Sequence, residues 1–156
     1  MEREENLLKG IVGAFIGSLA GVLVIVVFGK LGYVVSFAGL IMAAATIKLY
    51  EKFAGGISKK GIISCIIIMI IMTFIGNNLS FSIILVDELK RYNIDADVID
   101  IFFRLFSLLQ DGSASVSSYF SNLFMVLLFS ILGSYGLLKD KIKLIKNNNE
   151  DKKEIE

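Results

Sequence analysis

The chain has 156 residues, 55% of them hydrophobic, a mean hydropathy of +0.73 and a formal net charge of +1. A water-soluble domain of this size needs more polar surface than that, and a near-neutral chain gives no electrostatic reason to bind nucleic acid. His, Trp and Pro are absent, and the single Cys65 excludes an intrachain disulfide and a multi-cysteine metal site.

The first long apolar stretch covers residues 7–28, roughly the 20 residues that a helix needs to cross the hydrocarbon core of a bilayer. It runs past the signal-peptidase-like Ser18-Leu19-Ala20 and lacks a clear basic leader, so it reads as a retained span. Gly10, Gly13, Gly17 and Gly21 recur every three or four positions and line one helix face, the small-residue pattern that lets a second helix approach closely. A short turn at Gly29-Lys30-Leu31-Gly32 predicts a tight hairpin with span 2, over residues 31–50. That span offers a matching row in Ser36, Gly39, Ala43 and Thr46. Gly13, Gly17, Gly21 and Gly39 are the expected packing positions, within the hairpin or between two protomers.

Gly55-Gly56 ends the second helix, and the basic loop through Lys59 and Lys60 opens span 3, residues 61–86. The loop is not a phosphate-binding loop, because Gly61 is followed by Ile62 and the loop opens a membrane span instead of following a strand. Span 3 turns polar in its second half, with Thr73, Gly76, Asn77, Asn78, Ser80 and Ser82; span 4, residues 118–138, begins with Ser118, Ser121 and Asn122. Measured from Val86, Asn77 lies about 13 Å deep at 1.5 Å per residue, where an amide must find a partner. Asn77, Asn78, Ser80 and Asn122 are therefore the candidate binding residues, either of a hydrated pocket facing outward or of hydrogen-bonded contacts between helices.

Between spans 3 and 4, residues 95–110 carry polar positions Asp97, Asp100, Arg104, Ser107 and Asp111 at helical spacing among Ile, Leu and Phe. This predicts an amphipathic helix in the outer interface, or one packed over the bundle as a cap or re-entrant element. Asn93 or Asp95 is the expected cap. Residues 141–156 form a charged tail whose far end is expected to be disordered.

Twelve Lys and Arg fall in the N-terminal segment, the 48–60 loop and the C-terminal tail, against four in the other connections. The bias places both termini in the cytoplasm of a cell-membrane protein. Tyr33, Tyr50, Tyr92, Tyr119 and Tyr135 all fall near predicted span ends, as an interfacial aromatic belt would.

The fold expected is thus an all-α membrane protein, with residues 1–140 forming four transmembrane helices plus one amphipathic helix. No catalytic residues, metal ligands or cofactor motif emerge: general-base chemistry lacks His, and the carboxylates lie outside the spans, where proton relays do not use them. Gly10 to Gly17, Lys48 to Phe53 and Leu132-Gly133-Ser134 resemble a family of small bacterial four-span membrane proteins without assigned activity. Members of that family often carry Pro-Trp after the glycine stripe, where this chain has Val22-Leu23. The resemblance implies topology and no site. The expected function is a non-catalytic accessory or scaffold subunit whose partners are the lipid bilayer, a second copy or another membrane protein. A small oligomeric transporter or channel is the alternative.

Overall fold

A computed structural model of the chain describes residues 5–30, 36–112 and 115–153. Among them the chain is all-helical: α1 (Leu7–Lys30), α2 (Ser36–Ala54), α3 (Lys59–Arg91), α4 (Val98–Gln110) and α5 (Val116–Lys153). By length and composition α1, α3 and the Val116–Lys139 part of α5 can each cross a membrane. The expected start of span 2 and Tyr33 lie outside the described residues. The tail expected to be disordered continues α5 as far as Lys153, because residues 137–153 contain neither glycine nor proline to stop the helix.

The bundle buries polar side chains beside an apolar core and exposes many large apolar ones. Ser18, Thr46, Thr73, Asn77, Asn78, Ser80, Ser82, Ser130 and Ser134 are buried. Large apolar side chains such as Leu8, Leu23, Ile63, Ile71, Phe124 and Ile131 face outward. Water would penalise that arrangement at every exposed side chain, whereas lipid is as apolar as Leu and favours it.

Helices α1 and α2 form an antiparallel pair, and the glycine stripe is what brings them together. A Cβ on Gly10 would lie 2.5 Å from the Tyr50 ring, and one on Gly17 would lie 2.5 Å from the Ala45 carbonyl oxygen. Gly13 opposes the Leu49 carbonyl and Gly21 opposes Met42. All four glycines are consumed within the chain. The row expected to meet them on α2 is split: Thr46 faces α1, but Gly39 backs onto α5, 2.5 Å from the Val126 oxygen for an added Cβ, and Ala43 faces Gly133. α2 is thereby packed on α1, α3 and α5 at once.

One end of the bundle is fastened by a carboxylate. Glu5 Oε1 accepts hydrogen bonds from the Tyr50 hydroxyl at 2.7 Å and the Ser58 amide at 3.2 Å. The Ser58 side chain in turn caps α3 by accepting from the Gly61 N–H. Gly61 leaves room for this contact, since a Cβ there would meet Glu5 Oε1 at 2.5 Å and the Tyr50 hydroxyl at 2.6 Å and displace the fastening. Tyr50 is fully buried, so it belongs to this fastening and not to the expected aromatic belt. Burial pushes the Glu5 carboxyl up, but hydrogen bonds from Ser58 and Tyr50 together outweigh it and leave its pKa below the ordinary 4.5. A lowered carboxylate pKa contributes stability that is present above pH 4.5 and is lost as pH falls through the folded-state value. Detergent-solubilised protein should therefore melt at a lower temperature once the pH drops below that point. Glu5→Gln should start lower and show a flatter pH profile, and parallel profiles would contradict the fastening.

Candidate functional site

The polar half of α3 is held against α1 and α5. Gly76 packs against Val22 and Ile25 of α1, 3.1 Å from the Ile25 side chain for an added Cβ, and the Ser80 hydroxyl lies 3.4 Å from the Ile25 carbonyl. Lys30, at the end of α1, pairs with Asp87 at 3.2 Å. Asn77 is thus level with Ile25, about 8 Å below Lys30 at 1.5 Å per residue.

Of the four residues singled out from the sequence, Asn77 and Asn78 take partners on α5, Asn122 being one of them, while Ser80 turns to α1. The Asn122 amide donates to Asn77 Oδ1 at 2.8 Å. The Tyr119 hydroxyl donates to Asn78 Oδ1, and the Ser82 hydroxyl returns to the Asn78 carbonyl at 2.8 Å. Asn77, Asn78 and Ser80 are buried, while Asn122 is partly exposed. Asn77 Nδ2 is buried and completes no hydrogen bond. This is a network of interhelical amide and hydroxyl contacts at one level of the bundle, linking α1, α3 and α5.

Tyr119, like Tyr50, is buried where the sequence reading expected a belt residue. It is fully buried and packs edge-on to Phe81 with centroids 5.3 Å apart, so it is a core residue with a bonded hydroxyl and not a belt residue. Tyr92 and Tyr135 are exposed. The signal that could have found Tyr119 was its place at the head of Tyr119-x-x-Asn122, which puts both polar groups on one face of α5.

Helix α4 packs on this level from outside. Its N-cap is Asp97, not Asn93 or Asp95; Asn93 instead takes a positive φ of 58° in the turn after α3. Ile101, Leu105 and Leu109 are buried, and Leu105 and Leu109 share a cluster with Tyr119, Phe81 and Leu85. Phe106 stacks on Phe74 with centroids 5.9 Å apart. Phe74 lies about 25 Å before the end of α3 at 1.5 Å per residue, so α4 folds back along α3 instead of lying across the helix ends. Asp100 and Arg104 pair at 3.4 Å on its exposed side, beside Ile99, Phe103 and Phe106.

Among the described residues, no group of three or more His, Cys, Asp or Glu is placed to hold a metal ion. Compared with protein-family models, curated proteins and solved structures, the chain finds no match.

Proposed function

We propose that the chain is a four-span, non-catalytic component of the cell membrane, an accessory or scaffold subunit with both termini in the cytoplasm. The carrying observation is that two pairs of interior polar side chains are bonded across helices, Asn122 to Asn77 and Tyr119 to Asn78, while its outward surfaces are broad and apolar. What such a chain offers to its surroundings is surface. The fourth span is α2, which carries Lys48, Glu51 and Lys52 in its last turns. In support, Gly10 meets Tyr50 and Ala54 and Gly21 meets Met42, so α2 shares the depth of α1 and its charges fall at the Lys9 end. The face of α4 bearing Ile99, Phe103 and Phe106 is the surface on which another membrane protein would be held.

Purification in mild detergent with mass spectrometry tests the reading. A stoichiometric membrane-protein partner should co-purify with the parent chain and be lost from Phe103→Asn. A chain that purifies alone, with a thermal shift on adding a small solute, would count against it.

One observation favours the second reading, a small oligomeric transporter or channel with an outward-facing Asn/Ser pocket. Asn77 is fully buried and its Nδ2 has no completed hydrogen bond, a cost of about 1–3 kcal/mol that a bound solute or water would relieve. In a Cys65→Ala background, cysteines at Asn77 and Asn122 should react with an impermeant thiol reagent from outside if the pocket is real, and one at Val26 should not. If Asn77 is as inert as Val26, the amides are dry contacts between helices and the transporter reading fails.

A further inference from the structure

At the lysine-rich end, α3 and α5 part to leave a groove of about 200 Å³ whose walls include Ile66, Ile70, Ile131, Ser134, Tyr135 and Leu138. The groove follows α5 from Leu127 to Ile142, about 22 Å at 1.5 Å per residue. Its two serines do not make it polar. The Ser130 hydroxyl donates to the Val126 carbonyl at 2.8 Å and the Ser134 hydroxyl to the Ser130 carbonyl at 2.7 Å, so both protons are spent on their own helix. A polar solute would find little to bond.

The two faces that line the groove end in cations. Lys59 stands three and seven residues before Ile62 and Ile66, on the groove face of α3. Lys139 stands four and eight residues after Tyr135 and Ile131, and Lys143 lies one turn further on. All three are exposed. Ile62 and Leu138 pack in one cluster, which brings the two basic ends level. Glu5, in the N-terminal segment, is held by Tyr50 and Ser58.

We propose that this groove binds one anionic phospholipid, with an acyl chain along Ile66, Ile70 and Ile131 and the phosphate among Lys59, Lys139 and Lys143. A narrow, long, apolar slot capped by positive charge matches a chain with an anionic head. A second transmembrane helix fits less well, because an apolar helix would leave the three cations at the mouth of the slot without a counter-charge, which an anionic headgroup supplies.

Native mass spectrometry in neutral detergent, with dioleoyl phosphatidylglycerol against dioleoyl phosphatidylcholine, tests the site. The parent should retain one phosphatidylglycerol under activation that strips phosphatidylcholine. The variant Lys59→Gln/Lys139→Gln/Lys143→Gln should bind it about tenfold or more weakly, given the attraction of each basic residue near an anionic headgroup. Lys48→Gln/Lys52→Gln, which removes two charges outside the groove lining, should bind as the parent does. Ile131→Trp, which fills the slot and leaves the charges alone, should also lose the lipid. Equal retention of phosphatidylcholine, equal loss in the Lys48/Lys52 variant, or undiminished binding by Ile131→Trp would each overturn the site. The inference rests on the bundle lying in a bilayer. Release from membranes by alkaline carbonate without detergent would sink that reading by itself, whereas failure of the lipid assay leaves it standing.

Discussion

Gly17→Leu should abolish the folded bundle, giving no monodisperse peak in size-exclusion chromatography and no cooperative melting transition. The reason is that the groups opposite Gly17 are backbone: an added Cβ would meet the Ala45 oxygen at 2.5 Å, the Ala45 carbonyl carbon at 2.7 Å and the Thr46 Cα at 2.8 Å. A flexible side chain can rotate aside, but a helix backbone moves only as a body. Insertion of extra carbon into a packed interior costs about 1–3 kcal/mol, and Gly17→Ala should fall in that range. The leucine adds three further carbons where α1 meets the backbone of α2. Gly136→Leu is the matched control, since a Cβ there meets nothing within 4 Å. It should fold and melt like the parent. Equal behaviour of the two leucine variants would mean that the glycine stripe does not set the separation of the helices.

That stripe was legible in the sequence because helical periodicity is local: Gly10, Gly13, Gly17 and Gly21 declare a face without reference to the rest of the chain. So was the existence of α4, whose alternating polar and apolar positions specify an amphipathic helix. What could not be read was which element each face meets. Gly39 and Ala43 repeat at the same spacing as the α1 glycines, yet they serve α5. Tyr50 and Tyr119 sit near span ends, where a tyrosine is either at the lipid boundary or buried with a bonded hydroxyl. Their partners decide between the two, and they lie 45 and 41 residues away, at Glu5 and Asn78.

The Asn and Tyr network and the fold-back of α4 are linked by the same residues. Tyr119 gives its hydroxyl to Asn78 and its ring to the cluster that buries Leu105 and Leu109. A change in the amide network would therefore be felt by α4, the element whose outer face carries Phe103 and Phe106.

The central claim is that α2 crosses the membrane although its last turns carry Lys48, Glu51 and Lys52. Composition alone leaves α2 outside the set of obvious spans, while packing aligns it with α1 from Met42 to Ala54. The two possibilities place the connection between α2 and α3 on opposite sides. Alkaline phosphatase, active only outside the cytoplasm, reports that side when fused after Gly56, Gly112 or Asn149. Four spans with cytoplasmic termini predict activity at Gly112 and none at Gly56 or Asn149. Activity at Gly56 would contradict the account, because it would put the α2–α3 connection outside.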